Sequence, residues 1–229
     1  SVRPDDRYDL LVETRGGQSF SVHMIVQYWL DLLSAGIHPS GIKVLGIGGG
    51  PLSYFEFSIG LAMGAQVGLD ADSGGSASRM LTELGVFEDA DARPIRPWLK
   101  RNQLLALPSD AMTFRAFVEM TERPEEREEF ESAARKIHED YVKSQIVKTD
   151  STTKWEKLTP DLRRSCFHQA VYAESMLKKF GFGVRKKKPG KEAEPIDLVK
   201  EIGEKGILVM AEMEHGRWNV ERLMQGWRW

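Results

Sequence analysis

Two stretches of this chain combine residue types that could hold an anion or a planar ligand. The first is Gly46-Ile47-Gly48-Gly49-Gly50-Pro51-Leu52-Ser53-Tyr54-Phe55-Glu56, which follows an apolar β-rich run and leads into a helical one. Glycines let the backbone approach a phosphate closely, and the first turn of a helix offers unpaired amide donors with a favourable dipole. Ser53 would add a hydroxyl, and Glu56, one turn further in, a carboxylate. The same residues also suit an ordinary strand-to-helix turn, with the glycines serving chain reversal and Glu56 a helix-surface carboxylate. Read as the dinucleotide fingerprint G-x-G-x-x-G, the run carries Pro51 at the last glycine position, while Asp70 and Asp72 fall near the place of a ribose-binding acid. No G-x-x-x-x-G-K-[ST] sequence occurs, which weighs against NTP hydrolysis.

The second stretch is an internal echo. Ala134-x-x-x-His138-x-x-Tyr141 returns as Ala211-x-x-x-His215-x-x-Trp218, an alanine, a histidine and an aromatic on one helical face. His215, Trp218, Arg222 and Trp227 together could offer a stacking plane, a neutral hydrogen-bonding ring and a cation, so that an adenine-like base stacks on the indole while Arg222 engages phosphate. The alternative is a packed core with a hydrogen-bonded imidazole, Arg217 or Arg222 pairing with Glu214 or Glu221. The five histidines show no H-E-x-x-H spacing and there is no C-x-x-C, so no metal site or metal cofactor is expected. Cys166 neighbours His168 on a helix, where residues that close point in different directions, so a buried thiol is expected rather than a Cys/His nucleophile.

Composition narrows the classes. The chain has 229 residues, 41% of them hydrophobic, enough for one large domain or two small ones and too many for wholesale disorder. Lys plus Arg number 32 against 34 Asp plus Glu, a net charge of −2, so no global field favours nucleic acid, and none is expected as a partner. One cysteine excludes an intramolecular disulfide framework and suits a reducing, cytoplasmic setting. The apolar runs fall short of the roughly 20 residues that cross a bilayer. Residues 1–20 lack the pattern of a signal peptide. No membrane partner is expected of this stretch, and a homo-oligomer is left open.

The elements that must position these residues alternate at first. Tyr8–Glu13 reads as a strand, a turn at Gly16-Gly17-Gln18-Ser19 follows, and Val22, Ile25, Val26, Trp29, Leu30 and Leu33 space out a helix ending near Gly36. Strand 42–47, a helix through Leu61, strand 66–69, a short helix opened by Ser73-Gly74-Gly75-Ser76, strand 104–107 and helix 112–120 complete the alternation, which implies right-handed crossovers and a small parallel sheet. Gly16, Gly17, Ser19, Ser73 and Gly74 then join the central glycine turn as candidate ligand contacts on the carboxyl edge of that sheet. Past Thr121 an acidic run, from Glu122 to Glu131, suits a helix start or a solvated face. Helical patterns follow over about 130–147, 159–180 and 196–224, with breaks at Gly203 and Gly206. Arg185-Lys186-Lys187-Lys188-Pro189-Gly190-Lys191 reads as a basic loop, solvated or polyphosphate-binding. The boundary falls at about 121–125, giving an α/β domain over 1–121 followed by an all-α domain over 122–229.

The run Gly49-Gly50-Pro51-Leu52-Ser53-Tyr54-Phe55-Glu56 resembles the P-G-G-x-G-T-x-x-E signature of the SLOG superfamily of Rossmann-like nucleotide-binding domains, with Leu52 at a glycine position and Ser53 at the threonine. The closing stretch Glu212-Met213-Glu214-His215-Gly216-Arg217-Trp218, ending in Gly226-Trp227, resembles the Ryr domain, the helical module of ryanodine receptors that also occurs in bacterial proteins. It would cover about 130–229. Together these resemblances imply a bacterial regulatory fragment: a small parallel Rossmann-like sheet with flanking helices, then a Ryr-like helical domain, sensing a nucleotide or nucleotide-derived signal such as an adenine- or ADP-ribose-containing molecule, with no reaction assigned. The alternatives are a nucleotide N-glycoside hydrolase using Glu56 and a protein-interaction scaffold.

Overall fold

A computed structural model describes residues 20–86, 99–100, 102–120, 127–147, 149–184 and 196–227. In chain order these form α1 (Val22–Ser34), β1 (Lys43–Gly46), α2 (Pro51–Met63), β2 (Gln66–Asp70), α3 (Gly75–Glu83), β3 (Leu104–Leu107), α4 (Ala111–Glu119), α5 (Arg127–Ser144), α6 (Pro160–Lys179) and α7 (Leu198–Met224). Local chemistry sets several boundaries. Pro51 at the first turn starts α2, and Gly64 closes it with φ +99. Asp110 caps α4 by accepting the Thr113 amide, and Thr159 caps α6 by accepting the Leu162 amide.

The three strands pair in parallel in the order β1-β2-β3. Because the order advances in one direction, both crossover helices lie on the same face. There Val67, Leu69 and Leu104 meet Phe57 and Leu61 of α2 and Ala77, Met80 and Leu81 of α3. The alternate residues Leu105 and Leu107 point to the other face and join Ala116 and Phe117 of α4, Tyr172 and Met176 of α6, and Met213, Val220 and Leu223 of α7. α1 packs Ile25 and Trp29 beside α2, and α5 joins α6 around Ala134, Trp155 and Ala170.

The α/β region followed by an all-α region is therefore observed, as a small parallel three-stranded sheet flanked by helices and then a helical region. The expected strand Tyr8–Glu13, the turn with Gly16, Gly17 and Ser19, the basic loop 185–191 and the boundary at 121–125 lie outside the described residues. The second core draws on residues from both sides of that boundary. The expected break in the last helix is real at Gly203, with φ +71 and ψ 169, whereas Gly206 is helical and buried against Ile202. Among the described residues no helix is long and apolar enough to cross a membrane.

Candidate functional site

The central glycine turn sits at the carboxyl end of β1. Gly48 and Gly49 adopt φ +61 and +90, a backbone region that favours glycine, and bend the chain sharply into α2. The turn then locks onto the next crossover. The Gly48 amide donates to Ser73 Oγ at 2.7 Å, and Ser73 Oγ donates to the Asp70 carbonyl at 3.0 Å. The amides of Ser76 and Ala77 donate to the carbonyls of Gly49 and Gly48 at 3.0 and 2.9 Å, and Ser76 Oγ donates to the Gly50 carbonyl. A Cβ on Gly75 would stand 2.5 Å from the Gly49 carbonyl oxygen, so only glycine permits this approach.

This arrangement divides the expected contacts. Ser73 and Gly74 are brought to the turn, but their groups are spent within the protein: Ser73 Oγ on Gly48 and Asp70, and the Gly74 amide on Ser78 Oγ at 3.0 Å. The first amides of α3 are likewise consumed by the carbonyls of the glycine turn. The start of α2 differs. It has no side-chain cap and no acidic residue in its first turn. Among the described residues, the amides of Gly49, Gly50, Leu52 and Ser53 have no protein acceptor, and Gly49, Gly50 and Pro51 are exposed. Ser53 lies directly beneath Gly49, whose ideal Cβ would be 2.7 Å from Ser53 Oγ. The arrangement offers an anion several donors and a helix dipole.

Glu56 is half-buried, and burial raises its carboxyl above the ordinary range. The folded chain thus holds this proton over a pH window where the unfolded chain has lost it, and this contribution to stability is lost as pH rises through the folded value. Glu56→Gln is expected to gain stability relative to the parent across that rise, as read from urea midpoints at acidic and neutral pH. Equal pH dependence of the two proteins would show a solvated carboxylate instead.

At the ends of β2 and β3 lies a group of residues that the sequence reading left out in part. Asp70 is buried and accepts from Ser109 Oγ and from the Asp72 amide. Asp110 follows, accepting the Thr113 amide and hydroxyl at 2.7 and 2.6 Å. Burial opposes its ionisation, yet the Thr113 and Met112 hydrogen bonds and the nearby His215 hold its carboxyl below the ordinary range. Ser109-Asp110 ahead of a helical run is a capping signal that sequence inspection could have used.

His215, Trp218, Arg222 and Trp227 do come together. The His215 and Trp218 rings stack at 6.1 Å and 14°, and the Arg222 guanidinium lies over Trp218 at 5.3 Å and over Trp227 at 5.2 Å. The core-packing alternative does not hold on this face: His215 is exposed, as are Trp218 at 38% and Trp227 at 57%. The reason is that the opposite face of α7 carries the packing, with Met213, Gly216, Arg217 and Val220 buried. The first copy of the echo behaves differently. His138 is buried, pairs through Nε2 with the Thr153 carbonyl at 2.7 Å and lies against Trp155. Arg217 pairs with Glu214 and Glu221, whereas Arg222 reaches Gln225.

Cys166 is half-buried, and burial, then the Glu221 charge, push its thiol up, which disfavours a thiolate nucleophile. Among the described residues no group of His, Cys, Asp and Glu could hold a metal ion. Two larger cavities, of about 410 and 330 Å³, open beside Tyr54 and Glu83 and beside Trp155 and Arg163, neither of them lined by the glycine turn. No family model, curated protein or solved structure matches the chain.

Proposed function

We propose that this chain is a cytoplasmic regulatory module that binds a nucleotide or nucleotide-derived signal without transforming it, its sheet region SLOG-like and its helical region Ryr-like. The observation that carries the reading is the open start of α2, where the amides of Gly49, Gly50, Leu52 and Ser53 have no acceptor among the described residues. A phosphate there would be met by amide donors and by Ser53 Oγ, charge-assisted bonds stronger than neutral ones. The exposed His215–Trp218 pair, with the half-buried Arg222 beside it, supplies the planar surface and cation that an adenine-like base and its phosphates would use.

The test is a thermal-shift panel of nucleotides, including ADP-ribose. A ligand at a hundred times its Kd adds about 2.7 kcal/mol. That corresponds to a rise of about 5–11 °C for a chain of this size. Ser53→Ala and Trp218→Ala, each measured against the best ligand, assign the contribution of each region. A panel in which no nucleotide shifts the transition overturns the reading and leaves an interaction scaffold.

A second reading draws on the raised carboxyl of Glu56, since an acid that holds its proton more firmly than an ordinary carboxyl can assist departure of a base in N-glycoside hydrolysis. Glu56→Ala would then abolish turnover of AMP-like substrates while leaving their affinity measurable. Absence of turnover in the parent protein rejects this reading.

A further inference from the structure

A small cavity of about 20 Å³ lies where the end of α4, the middle of α6 and the end of α7 meet, far along the chain from the glycine turn. Met120, Val171 and Met224 supply its apolar wall, and Glu119, His168, Tyr172 and Ser175 its polar side. Tyr172 is only 2% exposed, yet its hydroxyl has no hydrogen-bond partner among the described residues, and neither does the buried Oε2 of Glu119. The other carboxylate oxygen, Oε1, is held by Lys179 at 2.8 Å and Arg115 at 3.0 Å, so the carboxylate is pinned with Oε2 left over.

Burial first, and then the Glu119 charge, push the Tyr172 hydroxyl up to about 12, so the phenol retains its proton and acts as a donor. A donor and an acceptor left unmet in a protein interior are costly, because each has given up water without replacement. A polar cavity admits a water molecule once it offers about 10–15 Å³ of space for the water centre and two to four polar partners. This one, with about 20 Å³ of such space and several polar groups in its lining, meets both conditions.

We propose that the cavity binds a single structural water, which accepts the Tyr172 hydroxyl proton and donates to Glu119 Oε2, with Ser175 as a third polar neighbour. The water joins the end of α4 to α6 and so fastens the helical region to the helix that covers the sheet. Its site differs from the nucleotide site proposed above and does not depend on it.

A high-resolution crystal structure of the parent protein tests this directly. The expected result is a well-ordered water within hydrogen-bond distance of Tyr172 Oη and Glu119 Oε2. A cavity without that water, with the Tyr172 hydroxyl donating straight to Glu119, overturns the proposal. Tyr172→Phe is expected to displace the water and to lower the melting temperature by about 2–6 °C, the loss of one buried hydrogen-bonding partner in a chain of this size. A variant that keeps both the water and the parent melting temperature would show that the phenol does not hold it.

Discussion

Gly216→Ala is expected to lower the melting temperature by about 4–12 °C, the effect of losing roughly 2–3 kcal/mol in a chain of this length. Two effects oppose each other at this position. Alanine in place of a helical glycine gains about 1 kcal/mol through restricted unfolded-state freedom and better helix propensity. Against that, a Cβ on Gly216 would stand 2.8 Å from the Thr113 amide nitrogen and nearer still to the carbonyl carbon and oxygen of Met112. Those neighbours are backbone and cannot rotate aside, so α7 must move off α4. The displacement would open the core that Phe117, Met213 and Val220 share. It would also strain the Asn219 Nδ2 bond to Thr113 Oγ1 at 3.1 Å. Thermal unfolding of the two proteins measures the balance, and an alanine variant as stable as the parent would mean that α4 and α7 pack less closely than described.

Arg217→Ala is expected to cost about 3–5 kcal/mol, the range found when one member of a buried ion pair is removed and its partner stays behind. Arg217 is 2% exposed and Glu221 3%. The guanidinium meets Glu214 through Nε at 2.9 Å and through Nη2 at 2.8 Å, and a third nitrogen reaches Glu221. Burial works against its charge, but the hydrogen bonds and charges of Glu214 and Glu221 outweigh that and hold its pKa above the ordinary value. Ser165 Oγ also donates to Glu221 at 2.9 Å, which brings α6 into the same network. Truncation leaves the Glu221 carboxylate buried without its cation, so the penalty reflects the orphaned partner more than the worth of the pair. Arg217→Met combined with Glu221→Leu should recover most of the loss, and chemical denaturation of the single and double variants gives the coupling directly. If the double variant is as unstable as Arg217→Ala, the cost lies in packing and not in the stranded charge.

Periodicity and turn chemistry made most of the described elements legible. The spacing of Val22, Ile25 and Trp29 marks α1, and the glycine run between two apolar segments marks the passage from β1 to α2. The Thr159-Pro160 pair marks the start of α6, and Gly203 marks the break in α7. These are signals between near neighbours, and neighbours share one local conformation. The candidate site was legible to the same extent: the glycine turn and Ser53 stand at the start of α2, and His215, Trp218 and Arg222, three or four residues apart, share a face of α7.

What the sequence determined alone is therefore the alternation of strands and helices, the absence of a disulfide framework, and which side chains lie together along one helix. Only the tertiary structure decided which of two similar His-aromatic faces is buried. His138 turns inward against Trp155, while His215 and Trp218 stay exposed because Gly216 and Arg217 carry the contact of α7 with its neighbours. It also decided which helix start remains open. The amides opening α3 are taken by carbonyls of the glycine turn 27 and 29 residues earlier, and those opening α2 meet no acceptor among the described residues. Helical spacing assigns a residue to a face but cannot say what that face meets, because burial and hydrogen-bond partners are set by contacts between segments far apart in the chain.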